Sequence, residues 1–116
     1  FINTPDTLLL ENLCAITLYK KYGSGIYYFN RNIEVDFYVP DEGLAVQACY
    51  RMSDKTTLER EIKALVALNS LYPLTKAMIV TYEDEGVMER DGLKIEIVPV
   101  WKWVLNGVTK ASQKTT

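Results

Sequence analysis

The stretch Ile33-Glu34-Val35-Asp36-Phe37-Tyr38-Val39, followed by Pro40-Asp41-Glu42-Gly43 and then Leu44-Ala45-Val46-Gln47-Ala48-Cys49-Tyr50, decides the fold. The first run alternates in polarity, which suits a strand with one face buried. Pro-Asp-Glu-Gly is turn chemistry, because Pro presets φ and Gly accepts a positive φ. The second run is almost wholly apolar, as in a strand covered on both faces and central in its sheet. Two polar residues interrupt this apolar setting: Asp36 in the first strand and Gln47 in the second.

Upstream, Ile26 to Phe29 reads as a strand and Asn30-Arg31-Asn32 as a turn, so three strands form a meander. Thr4-Pro5-Asp6 is helix-entry chemistry, with Pro at the first helical position and an acid in the first turn. Leu9, Leu13 and Ile16 fall on one stripe, with Leu10, Cys14 and Leu18 beside it, which predicts an amphipathic helix with a wide buried face. Lys20 and Lys21 suit its C-terminus, and Gly23 closes it.

Downstream, Ser53 or Asp54 can cap a second helix that Pro73 stops after about Tyr72. Leu58, Ile62, Leu65 and Leu68 share one of its faces, and Glu59 and Lys63 have the spacing of an ion pair. Lys76 to Tyr82 is a fourth, buried strand; reached through a helix, it is a crossover partner of the earlier sheet. After the acidic loop Glu83-Asp84-Glu85-Gly86, the Asp91-Gly92 turn joins Val87 to Arg90 and Leu93 to Val98 as a hairpin. Residues 100–105 follow Pro99 as a short helix, and residues 107–116 read as a flexible tail. The expected fold is α/β, an αβββαβ core with a mixed sheet plus a hairpin and short helix, in one domain over residues 1–106.

At 116 residues the chain has room for one core. Hydrophobic residues make up 48% and charged residues 24%, both ordinary for a globular protein. Apolar runs are far shorter than the roughly 20 residues of a membrane span. No basic, apolar leader pattern opens the sequence, so the expectation is a cytoplasmic protein or a piece of a larger one. With no histidine in the sequence, histidine triads and the usual catalytic zinc sites are excluded. Cys14 and Cys49 form no Cys-x-x-Cys pair. The net charge of −2 gives no global field to attract nucleic acid, so DNA contact would need a local patch. Lys20, Lys21, Arg31, Arg51 and Lys55 are candidates for one.

An acid within one strand, then acid-x-lysine in the next, is the layout of metal-dependent nucleases. Two carboxylates hold Mg²⁺ against the scissile phosphate, and a Lys ammonium stabilises developing charge. The segments Leu10-Glu11-Asn12-Leu13, Glu34-Val35-Asp36-Phe37, Val46-Gln47-Ala48-Cys49-Tyr50, Thr57-Leu58-Glu59-Arg60-Glu61 and Pro99-Val100-Trp101-Lys102-Trp103 occur in order. Together they resemble the C-terminal domain, of unknown function, found in a family of prokaryotic AAA+-type ATPases. The resemblance covers nearly all of residues 7–105 and implies a PD-(D/E)XK nuclease-like fold. It implies that Glu11 and Asp36 stand at metal-binding positions, Gln47 at the second acid and Cys49 at the lysine.

Both replacements weaken such a site. A Gln oxygen brings no charge, and a thiol of pKa about 8.5 is largely neutral. Losing one transition-state charge stabiliser costs ~10²–10³ in rate. The expectation is therefore a degenerate site at Glu11, Asp36, Gln47 and Cys49, with no cofactor in this fragment unless a residual site takes Mg²⁺ through Asp36 and Glu11. The sequence has no Gly-x-x-x-x-Gly-Lys-Ser/Thr, and Gly23-Ser24-Gly25 is too short to cradle phosphates. The resemblance makes the ATPase domain of the same parent chain the expected partner, with DNA as another.

Plainer roles stand beside these. Asp36 can pair with a cation or a turn amide, and Glu11 can be a solvated helix residue. Gln47 needs a hydrogen-bond partner if buried, which Asp36 or Tyr50 could provide. Cys49 can be a small buried hydrophobe. Arg60 and Glu61 suit surface or helix–sheet ion pairs. The Trp101/Trp103 pair suits a lid over the core, or a partner anchor if one ring stays outside. Three functions follow: an inactive nuclease-like accessory module, a weak Mg²⁺-dependent nuclease, or a protein-interaction and dimerisation domain.

Overall fold

The structure is a computed structural model that describes residues 5–106. Helix α1 (Pro5–Tyr22) leads through a 3-10 turn into β1 (Tyr27–Asn30), β2 (Glu34–Val39) and β3 (Leu44–Ala48). Helix α2 (Lys55–Leu71) then precedes β4 (Lys76–Thr81), the hairpin strands β5 (Gly86–Arg90) and β6 (Leu93–Pro99), and helix α3 over residues 100–106. The expected tail at 107–116 lies outside the described residues.

All six strands form one mixed sheet in the order β1-β2-β3-β4-β6-β5. The meander is antiparallel, whereas β3 pairs parallel with β4 because α2 carries the chain back across one face. β6 then inserts parallel to β4 and leaves β5 at the edge, so the hairpin extends the sheet rather than standing apart. The burial of β3 on every residue follows from this central place, with a helix on either face.

The two faces have separate cores. Leu58, Ile62, Leu65 and Leu68 of α2 pack on Val35, Ala45, Ala77, Ile79, Ile95 and Ile97. On the opposite face Leu10, Cys14 and Leu18 of α1 meet Val46, Ala48, Met78 and Val80, with Val100 and Trp103 of α3 alongside. Strict alternation along β3 and β4 sends successive side chains to opposite cores, as the pleat requires. Burial of α1 is narrower than its sequence suggests. Leu10, Cys14 and Leu18 are buried, but Leu9, Leu13 and Ile16 are 61%, 41% and 54% exposed. The sheet covers one stripe of the helix and leaves the other uncovered. The tryptophans divide likewise, Trp103 packing inward and Trp101 remaining 59% exposed.

Local chemistry fixes the ends of α2. Asp54 caps it, accepting from the Thr57 N–H and hydroxyl. Glu59 makes a bidentate pair with Arg90 of β5, at 2.6 and 3.2 Å, which ties the helix to the hairpin; Lys63 contributes only a longer-range charge. Among the described residues no helix is long and apolar enough to cross a membrane.

Gly43 sets the β3–β4 register. It lies at φ 59°, and a Cβ there would stand 2.6 Å from Thr75 Oγ1 and 3.0 Å from the Thr75 nitrogen. Its carbonyl accepts the N–H groups of Thr75 and Lys76, at 2.8 and 3.1 Å, where Leu44 pairs with Lys76. Gly43→Ala should therefore cost about 1–3 kcal/mol through strain and loss of this approach. A urea melt checks this, and an unchanged midpoint would contradict it.

Candidate functional site

The site is built where β2 and β3 part. Tyr27 pairs with Tyr38 but Phe29 pairs with Val35, so β2 carries an extra residue between them, a β-bulge at Asp36-Phe37. Regular β2–β3 pairing runs from Val39↔Leu44 to Phe37↔Val46. At the next position two side chains replace the main-chain ladder. Gln47 Oε1 accepts the Asp36 N–H at 2.8 Å, and Asp36 Oδ2 accepts the Ala48 N–H at 2.9 Å. The Gln47 amide nitrogen donates to the carbonyls of Glu34 at 3.0 Å and Glu61 at 3.4 Å. Gln47 is fully buried, and no buried side-chain nitrogen or oxygen among the described residues lacks a partner. An ionised Glu in its place could donate to neither carbonyl, and a protonated one to only one of them. Its partners are the backbones of Asp36, Glu34 and Glu61; Tyr50 instead stacks on Tyr82.

Of the carboxyl groups that line the adjoining cleft, three are held above their ordinary pKa: Glu11 from α1, Asp36 from the bulge and Glu61 from α2. Burial raises the Asp36 pKa to about 6; the Ala48 N–H opposes this, and the charges of Glu11 and Glu34 add to it. Burial also pushes Glu61 up to about 8, reinforced by Asp36 and Glu11 and opposed by Arg60, which lies 3.6 Å away. Glu11 is raised by burial alone.

Glu61 is therefore neither a surface residue nor spent in a simple ion pair: it is 9% exposed and belongs to the acidic group. Its signal in the sequence was its place on the α2 stripe, one residue before Ile62 and three after Leu58. A charge on an apolar face calls for a reason. Cys49, 1% exposed, turns its thiol onto the Arg51 carbonyl at 3.3 Å, and burial pushes it up to about 11. It is a neutral thiol and gives no positive charge.

Carboxylates outnumber cations along this cleft. Arg51 and Lys55 reach it with Arg60 and Lys63, whereas Arg31 lines a separate aromatic groove with Tyr38 and Tyr72. The five cations expected as one patch are thus divided. Among the described residues no three His, Cys, Asp or Glu side chains are arranged to hold a metal ion. The donor set agrees: one Asp36 oxygen is taken by Ala48, the Gln47 oxygen by Asp36, and Glu61 is held largely protonated at neutral pH. Mg²⁺ demands near-octahedral oxygen ligands, and these residues as packed do not fit it.

No protein-family model matches the chain, and no solved structure matches it significantly. An uncharacterized protein of Methanocaldococcus jannaschii is 38% identical over 109 residues, covering 84% of this chain. The match takes in 24% of that relative, so the chain spans about a quarter of its length.

The raised carboxyl groups set a pH dependence. A carboxyl whose folded pKa lies above its unfolded value stabilises the fold while protonated and loses that contribution as pH rises through the folded pKa. Stability should fall as pH rises from the ordinary carboxyl values of 3.8 and 4.5, with both groups contributing until Asp36 is spent near 6 and Glu61 alone from there to about 8. The slope should be at most about 1.4 kcal/mol per pH unit for each group. Glu61→Gln should flatten the upper part and raise the melting temperature at pH 8. A wild-type profile flat over this range would contradict the assignment. Gln47→Glu should destabilise by about 3 kcal/mol, since it removes the donor to the Glu34 and Glu61 carbonyls and adds an acid to the carboxyl cluster. Chemical denaturation measures it, and a loss within 0.5 kcal/mol would refute the role given to the amide.

Proposed function

We propose that this chain is a nuclease-like accessory domain whose catalytic position has become structural, serving partner engagement within a larger ATPase-containing protein. The observation that carries this reading is the occupation of the site by its own strands. The Asp36 carboxylate and Gln47 amide satisfy the main chain at the bulge, and Cys49 holds a buried thiol at the position of the lysine. The α-β-β-β-α-β order of the elements supports a PD-(D/E)XK-like scaffold. The length of the archaeal relative, about four times the matched segment, supports a parent chain with room for an ATPase domain.

The excess of carboxylates favours a protein partner over DNA at this cleft. A nucleic-acid backbone is held by released counterions and cationic contacts, and the cleft offers few cations. The test is incubation with supercoiled, linear and branched DNA in millimolar Mg²⁺ or Mn²⁺, alongside calorimetry of the metals alone. The expected result is intact DNA and no measurable metal binding. Metal-dependent cleavage that is lost in Asp36→Ala would overturn the proposal in favour of a residual nuclease using Glu11 and Asp36.

A further inference from the structure

Helix α1 meets its obligations to the core with Leu10, Cys14 and Leu18. A second set, Asp6, Leu9, Leu13, Ile16 and Lys20, lies wholly on exposed positions of the same helix. These five are spaced alternately three and four residues apart, the seam by which one helix packs along another at a shallow angle. Three large aliphatic side chains occupy its middle, each more than two-fifths exposed, and Tyr19 flanks it at 67%. Isolated exposed leucines need no explanation, but a continuous seam of them does.

The ends of the seam identify its occupant. Asp6 and Lys20 are equidistant from Leu13 along the helix and carry opposite charges. Laid antiparallel on itself about a two-fold axis at Leu13, the seam brings Asp6 of each copy to Lys20 of the other and Leu9 toward Ile16. Such isologous self-complementarity is what a two-fold dimer requires. We infer that the exposed seam of α1 binds α1 of a second copy of this chain, antiparallel, forming a homodimer. Trp101 and Leu105, exposed on α3 in the same layer, provide apolar surface beyond the helix pair.

Sedimentation velocity of the chain over low to several hundred micromolar concentration tests this. The mass should rise from monomer to dimer, and Leu13→Glu should abolish the rise while leaving the circular dichroism spectrum unchanged, because Leu13 is outside the core. Lys20→Glu, which sets like charges across the axis twice, should weaken the dimer about tenfold or more. The double variant Asp6→Lys/Lys20→Glu should restore it. This rescue separates pairing from the helix dipole, which both exchanged charges oppose. A monomer at all concentrations, a dimer indifferent to Leu13→Glu, or failure of the double exchange to rescue would each overturn the inference.

Discussion

A buried strand that gains an extra residue must still satisfy its main-chain hydrogen-bonding groups, and here the side chains of Asp36 and Gln47 do so. The bulge in β2, set against β1, falls where the β2–β3 ladder ends, and a buried unpaired N–H there would cost on the order of 1–3 kcal/mol. Gln47 suits the gap because its amide carries the donor and acceptor of a peptide group. It accepts from one strand and donates to carbonyls of that strand and of α2. Asp36 closes the other side on Ala48. One bond, from the Gln47 amide to the Glu61 carbonyl at 3.4 Å, ties the junction to α2, which its apolar stripe holds on the sheet.

The same junction explains why an acidic cluster can exist without acting as a metal site. Burial raises the proton affinity of Glu11, Asp36 and Glu61; the charge of Glu11 adds to it at Asp36, and those of Asp36 and Glu11 add to it at Glu61. Protonation relieves the repulsion where a cation would otherwise be needed. Catalysis by carboxylates requires the opposite state, with charged oxygens free to ligate and a fixed positive group nearby. The Asp36 oxygen bonded to Ala48 and the neutral thiol of Cys49 provide neither, which supports the proposed accessory role over phosphodiester cleavage. An α1 seam free for a second copy agrees with a role in assembly.

Much of the fold was legible because punctuation in the sequence is local. Pro40 to Gly43, Pro73 and Asp91-Gly92 mark the turns, and Ser53-Asp54 marks the start of α2. The crossover to a parallel β4 follows from the helix that must intervene. What local pattern could not give was how much of each element its neighbours cover. Leu9, Leu13 and Ile16 have the same periodicity as the buried stripe, yet the sheet reaches only Leu10, Cys14 and Leu18. The hairpin was readable, but the insertion of β6 beside β4 depends on pairing between distant segments. At the site, Asp36 and Gln47 stood out as polar residues in apolar strands. The bulge that joins them did not, because it is a property of two strands together. Glu61 makes the expected ion pair, with Arg60 at 3.6 Å, but its place on an apolar stripe also pointed inward, which the ion-pair reading missed.

The central claim is that Asp36 and Gln47 are structural hydrogen-bonding groups in place of a strand ladder. Native-state amide hydrogen exchange at Asp36 and Ala48 tests it most directly, since each amide donates to a side chain of the other strand. Both amides should be protected about as well as that of Cys49, whose N–H bonds the Val80 carbonyl just past the end of β3. Exchange at Asp36 and Ala48 as fast as in the exposed loops would contradict it, leaving their side chains free for other work.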